Sequence, residues 1–262
     1  MPELPDVEVF KRYLDANALH QKIVAVEVRH PRILRNTTAD QLARELAGQS
    51  LETSRRYGKH LLVGLSGGKW LAVHFGMTGY FAYYGQPEEE PPHARLVLTF
   101  DNGRRLAYDS LRMLGGIELT ADPEQYIREH EMGPDAMDDR FDLAAFKKAL
   151  AGRSGRIKGA LMDQQALAGI GNIYSDEILF QAGLDPKRKV GSLNEEEARK
   201  LYQAMKQVLQ TSIDRGADPQ QFPAGYLTAR RRGGKQCPAC GGPIKAEKVG
   251  GRTAYSCPGC QK

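Results

Sequence analysis

Four cysteines constrain what one end of this 262-residue chain can fold into, because all of them fall in CPACGGPIKAEKVGGRTAYSCPGC. Two C-x2-C knuckles separated by sixteen residues suit tetrahedral ligation of one structural Zn2+ by Cys237, Cys240, Cys257 and Cys260, each pair turning at Pro and Gly. The segment has too few apolar residues to fold alone, so the metal would supply its folding free energy. Two disulfides are the alternative, which a cytoplasmic chain disfavours.

The same end carries the charge. From position 228 onward eight basic residues face the single acid Glu247, a net of +7, so the residues before them together carry −2 of the total +5. Four thiolates on one zinc ion would lower the effective charge of this end, yet a basic end on a near-neutral body still suits an acidic partner, nucleic acid being the commonest. A solvated basic tail is the bland alternative. Arg252, in GGRTAY between the knuckles, sits where two glycines favour a tight hairpin tip and can reach a phosphate. No apolar run approaches a membrane span and no signal-peptide pattern opens the chain, so the expected location is cytoplasmic.

The periodicity predicts an α+β chain. A helix opens it, with Val7, Phe10, Leu14 and Leu19 on one face after a proline-acid start. From about 22 to 120 the runs HLLVGL, KWLAVHF, RLVLTF, RRLAYDS and GIELT read as short strands, and GQPEEEPP as a mobile polar loop. After about 125 the period becomes helical. SLNEEEARKLYQAMKQVLQTSI reads as a long helix, opened by Ser192 and Glu195 in capping-box spacing, with Ala198, Leu201, Tyr202, Met205, Val208 and Leu209 as its core stripe. The expected domains are 1–125, 138–225 and a ribbon at 230–262.

One further stretch, LMDQQALAGIGNIYSDEILFQAG, places a glycine turn between two helices. Gly169 and Gly171 let backbone approach a partner, and the N–H groups there, with the Asn172 side chain, can bind a phosphate at the start of the second helix. A plain helical hairpin with a glycine loop reads the same residues equally well.

Taken together, PELPDVE, RRYGKHLL, HFGMTG, LMDQQALAGIGNIYSDE and the ribbon ending CPGCQK resemble, in order and over nearly the whole chain, the formamidopyrimidine-DNA glycosylase and endonuclease VIII family of repair enzymes. PELP at the start leans toward the formamidopyrimidine branch. The resemblance implies a two-sheet β-sandwich flanked by the N-terminal helix, a helix–two-turn–helix domain and a zinc ribbon. The strand runs alone do not separate a sandwich from a barrel. It also implies a monomer acting on damaged double-stranded DNA in the cytoplasm of a bacterial-type cell, associated with its nucleoid, with DNA bent in a cleft between the domains.

The resemblance also distributes roles. Met1 would be removed, freeing the Pro2 amine to attack C1′ of the damaged nucleotide and form an iminium. Were Met1 retained, Pro2 nitrogen would be an amide and could not attack. Glu3 would donate and accept protons at the sugar. Lys59 would contact phosphate and assist elimination, and Arg252 would clamp phosphates and assist the second, δ, elimination, sharing that clamp with Asn172. Glu177 resembles a buried acid near the N-terminal amine and is grouped, with Arg153 and Lys158, among the DNA-binding residues. Met77, Arg112 and Leu114 would fill the space left by the everted nucleotide. His74 and His93 resemble DNA-contacting histidines. Asp6 stands where the family usually has Glu, Leu114 where it usually has an aromatic, and the stretch before the ribbon is short. These departures bear on which lesion is preferred: formamidopyrimidines, oxidised pyrimidines or 8-oxoguanine. They also leave room for a paralogue that binds damaged DNA without cutting it. A zinc-ribbon nucleic-acid adaptor is the third reading, and it leaves PELPDVE and the GIGN turn unexplained.

Overall fold

Period-two alternation in the first half of the chain builds two four-stranded antiparallel sheets, in a computed structural model that describes all 262 residues. One sheet has the order β1 (Ile23–Val28), β6 (Ala94–Phe100), β7 (Arg105–Asp109), β5 (Tyr80–Tyr84), and the other β2 (Leu51–Tyr57), β3 (His60–Leu65), β4 (Trp70–His74), β8 (Gly116–Thr120). Alternate residues Leu61, Val63, Leu71 and Val73 of one sheet and Leu96, Leu98, Phe100, Leu106 and Tyr108 of the other form one buried cluster. Such inward alternation is what a sandwich requires. Val7 and Leu14 of α1 (Leu4–Ala18) join it.

One local feature differs from expectation. A helix, α2 (Ala39–Leu46), interrupts the strand region, with the Thr38 hydroxyl accepting from Gln41 N–H at 3.2 Å and Leu42 and Leu46 buried. Eight residues are too few for periodicity to announce it. The polar loop GQPEEEPP holds a short 3-10 turn at Pro87–Glu89, and Glu90 binds Arg29 and the Tyr84 hydroxyl.

The β3–β4 pair sets His60 opposite His74, with ring centroids 4.8 Å apart. The Tyr126 hydroxyl of α3 (Pro123–Glu129) lies 2.9 Å from His60 Nδ1. Burial, then the neighbouring charges, hold His60 well below the usual imidazole range and lower His74 from 6.5 to about 4. Because the folded state favours neutral imidazole, this stability is present above pH 6.5 and is lost as pH falls toward 4. We expect His74 to cost about 2 kcal/mol between pH 7 and pH 5. Urea midpoints at the two pH values check this, and His74→Phe should reduce the difference while leaving the part due to His60.

The chain divides into two compact units: Met1–Pro2 with Asp6–His130, and Glu3–Pro5 with Glu131–Lys262. The second is helical, comprising α4 (Leu143–Leu150), α5 (Ile157–Met162), α6 (Asn172–Gln181) and α7 (Glu195–Asp214), and ends in a hairpin of β9 (Lys245–Val249) and β10 (Arg252–Ser256). Its core runs from Leu4 through Phe146, Leu161, Ile178 and Leu179 to Leu201, Met205, Val208 and Leu209. Every residue of α6 from Tyr174 to Phe180 is buried, so its polar members must find partners inside. No helix is long and apolar enough to cross a membrane.

The cap of α7 falls two residues later than its sequence suggests. Asn194 and Glu197 form the capping box, at 2.9 and 3.0 Å, while the Ser192 hydroxyl bonds Lys189 C=O at 2.8 Å in the preceding 3-10 turn. SLNEEE offers a cap residue three positions before a Glu twice, as Ser192 with Glu195 and Asn194 with Glu197, and the turn at Val190–Ser192 consumes the first. Asn194→Ala should therefore cost about 1 kcal/mol and Ser192→Ala within about 0.5 kcal/mol, as read by thermal melts.

Candidate nucleic-acid and catalytic site

The glycine turn between α5 and α6 is built to receive the N-terminal residues. Gln164 braces it, its side chain binding Met162 C=O and Ile170 C=O at 2.8 Å and Gly169 N–H at 3.0 Å. Gly169, at φ +117°, offers its carbonyl to Leu4 N–H at 3.0 Å. The Glu3 carboxylate, 1% exposed, then accepts from the N–H groups of Gly171 at 2.7 Å, Ile173 at 2.8 Å and Tyr174 at 3.2 Å. These are orphan donors at a helix N-terminus, where the dipole favours an anion. A Cβ on Gly171 would stand 2.4 Å from Glu3 Cδ, so only glycine admits this seat.

That arrangement corrects one expectation. The N–H groups predicted to bind a phosphate hold the chain's own carboxylate, because residues preceding a docked segment present it at a far higher effective concentration than any free anion. Asn172 is half-buried, its Oδ1 buried without a hydrogen-bond partner. Its carbonyl receives Lys158 Nζ at 3.4 Å and Arg231 Nη2 at 3.0 Å.

Two predicted DNA contacts are internal instead. Lys158 is fully buried and pairs with Asp176, also fully buried, and with Ser175 Oγ at 3.2 Å. Desolvation lowers its pKa, opposed by Asp176. Glu177 is fully buried too, accepting from Thr228 N–H at 2.7 Å, Thr228 Oγ1 at 2.6 Å, Leu227 N–H at 3.1 Å and Gln181 Nε2 at 2.8 Å. Desolvation raises its pKa against those bonds. Both leave the DNA-contact set because no part of either side chain reaches solvent. Arg153, half-buried, is paired with Asp163 at 2.5 Å. Asp176 and Arg231 were not singled out from the sequence. The available signal was a pair of adjacent acids inside an otherwise apolar helix, IYSDEILF.

Within the first unit, Pro2 is half-buried behind an exposed Met1. Lys59, 8% exposed, occupies the two-residue turn between β2 and β3, where Gly58 takes φ +54°. A glycine at the first turn position is the type II′ signature. Met77 and Leu114 are large apolar side chains left 39% and 46% exposed, and Arg112 is exposed with them. They share a surface because Gly76, at φ +62°, lies against the 114–115 backbone. A Cβ there would meet Gly115 N at 2.3 Å. Arg112 N–H also donates to Thr78 Oγ1 at 3.2 Å. Leu111, in the same loop, is 56% exposed. His93 is half-buried, its N–H held by Asp109 at 2.7 Å.

At the other end the four cysteines are unpaired, and their sulfurs lie within 4.8 Å of one another, with Cys237–Cys260 at 3.7 Å and Cys240–Cys257 at 3.4 Å. A tetrahedron of thiolates at ~2.3 Å from zinc has edges of about 3.8 Å. The donor set therefore fits one structural Zn2+, and these separations are too long for disulfides. Arg252 opens β10, opposite Val249, across Gly250 and Gly251 at φ +57° and +77°. Two positive φ angles make the tight type I′ tip expected there, and Arg252 is exposed.

Residues 1–117 match the formamidopyrimidine-DNA glycosylase N-terminal domain, residues 132–223 the formamidopyrimidine-DNA glycosylase H2TH domain, and residues 234–262 a zinc finger found in FPG and IleRS. The formamidopyrimidine-DNA glycosylase of Pelotomaculum thermopropionicum is 37% identical, over 100% of this chain and 99% of its own. That of Moorella thermoacetica is 39% identical over 94% of each. Among solved structures, Lactococcus lactis FPG (MutM) with a FAPY-dG containing DNA has a TM-score of 0.90 at 30% identity, covering 99% of this chain and 100% of that one.

Proposed function

The chain belongs to the formamidopyrimidine-DNA glycosylase family, and on that premise we propose that it is a bifunctional DNA glycosylase and AP lyase of base excision repair, acting on oxidised bases through a freed Pro2 amine. The observation that carries this reading is the seat of Glu3, whose carboxylate is fixed by three backbone N–H groups one residue from Pro2. A carboxylate buried at that cost, beside a residue that can become a secondary amine, is an acid–base group next to a nucleophile.

The chemistry follows from those two groups. The Pro2 lone pair forms a bond to C1′ as the C1′–base bond breaks, and the base leaves with that electron pair and takes up the proton that the Pro2 nitrogen sheds. Glu3 protonates O4′ as the O4′–C1′ bond opens, leaving a Pro2–C1′ iminium. The cation acidifies the C2′ proton, and its loss expels the 3′ phosphate by breaking C3′–O3′. Loss of the C4′ proton through the extended iminium then expels the 5′ phosphate by breaking C5′–O5′. Water hydrolyses the iminium and restores the amine. Lys59 and Arg252 stabilise the departing phosphates, with Asn172 sharing their hold. Met77, Arg112 and Leu114 occupy the space of the everted nucleotide, and a neutral His74 can donate only a neutral hydrogen bond. Zinc bound by the four cysteines holds the ribbon folded and enters no step. The protein works as a monomer in the cytoplasm, associated with the nucleoid.

A duplex carrying one formamidopyrimidine tests the reading, with 8-oxoguanine, an oxidised pyrimidine and undamaged DNA in parallel. The expected result is base release and strand scission on the formamidopyrimidine duplex with undamaged DNA intact. Binding to the lesion without base release would instead identify a non-cutting paralogue.

A further inference from the structure

Asp176 ties together three separate parts of the second unit. Its Oδ1 binds Lys158, and its Oδ2 accepts from Arg231 Nε at 3.2 Å, Arg231 Nη2 at 2.8 Å and the backbone N–H of Tyr255 at 3.2 Å. Tyr255 lies within β10, three residues from Arg252. The Arg231 guanidinium covers its ring at 5.0 Å. Both cations also reach Asn172 C=O, at the start of the helix whose next N–H groups hold Glu3.

The rest of the ribbon's seat combines an apolar cluster, Phe180 and Leu227 packing with Cys237, Ile244 and Cys257, with polar anchors away from β10: Lys262 exchanges backbone bonds with Gly183 and Asp185 at 3.0 Å, Gln261 Nε2 donates to Leu184 C=O at 2.8 Å, and Lys187 pairs with Glu247 of β9 at 2.7 Å. Apolar burial is non-directional, and the polar anchors at Glu247, Gln261 and Lys262 lie off β10. The bond from Tyr255 N–H to Asp176 is directional and acts on the strand that carries Arg252. Replacing such a buried ion cluster by apolar side chains often costs no stability, so its stability contribution alone does not account for it.

We propose that Asp176 is a positioning residue for the δ-elimination, fixing β10 so that Arg252 is held where the 5′ phosphate departs. This rests on Arg252 acting as the phosphate clamp of the proposed enzyme. Because Glu3 keeps its own three N–H donors, the steps up to the iminium do not depend on Asp176.

The test uses the full zinc-loaded chain on a duplex with one abasic site, reading the ratio of β,δ to β products alongside borohydride trapping and zinc content. Asp176→Asn is expected to lower the ratio at least fivefold, with trapping within twofold of the unaltered protein. Arg231→Met, which leaves the neutral Asp176–Lys158 pair, should shift the ratio in the same direction by about twofold. Asp176→Asn combined with Arg252→Ala should match Arg252→Ala alone, a non-additivity that a general loss of folding would not produce. Unchanged ratios in Asp176→Asn and Arg231→Met, while Arg252→Ala lowers its own, would overturn the proposal. Should Asp176→Asn lose zinc, an unchanged ratio in Arg231→Met overturns it. An unchanged ratio in Arg252→Ala defeats the clamp role of Arg252 and the proposal with it, whereas no trapped adduct from the unaltered protein defeats the enzyme reading itself.

Discussion

Protein from which Met1 has been removed should form a covalent adduct with an abasic duplex in borohydride, and protein that keeps Met1 should form none. Borohydride reduces an iminium to a stable amine, so the adduct reports the Pro2–C1′ bond directly. The expected loss on blocking is complete, because an amide nitrogen has no lone pair to give. Glu3→Gln should separate the two groups further. The amide turns an NH2 toward the N–H donors of Gly171, Ile173 and Tyr174, breaking part of the seat and removing the proton carrier. Base release should fall by about 10²–10⁴-fold, because displacement reverses when O4′ is not protonated and the ring stays closed, while the adduct with a preformed abasic site, whose sugar opens to the aldehyde unaided, persists. Equal trapping by free and blocked N-termini would place the nucleophile elsewhere.

The second large effect is loss of zinc. Structural zinc sites contribute apparent folding free energies of ~10–16 kcal/mol, and the ribbon's own apolar cluster is small. Chelation, or Cys257→Ser, should unfold β9 and β10 while leaving the sheets of the first unit and α4–α7 intact, so far-ultraviolet dichroism should change little. Arg252 loses its fixed position, and the β,δ product should fall with it. The salt dependence of DNA binding should also weaken, by about one in log–log slope for each phosphate that the ribbon no longer neutralises. Metal-free protein with an unchanged product distribution would show that the ribbon does not present Arg252 to the DNA.

Much of this protein is written in short-range patterns. The zinc site needs only the cysteine spacing, the Arg252 hairpin only GG between two β-prone runs, and five strands only their alternation. Where local signals competed, as with Ser192 against Asn194 for the α7 cap, the sequence left a choice between two equivalent spacings. Eight-residue α2 was invisible for the opposite reason, having too few turns to show a period.

What local pattern could not supply is the partner of each buried polar group. Glu3 meets donors about 170 positions away, Lys158 meets Asp176 across the turn, and Glu177 meets Thr228 beyond the whole of α7. Read alone, Lys158 is a cation for DNA and the Gly171 turn a cradle for phosphate. The sequence by itself determined the elements, the metal ligands and the order of the motifs, because those follow from spacing within a few residues. Only the tertiary structure decided which charges face solvent and which are consumed inside, because burying α6 on every side forces each of its polar groups to be satisfied by whatever the fold brings near.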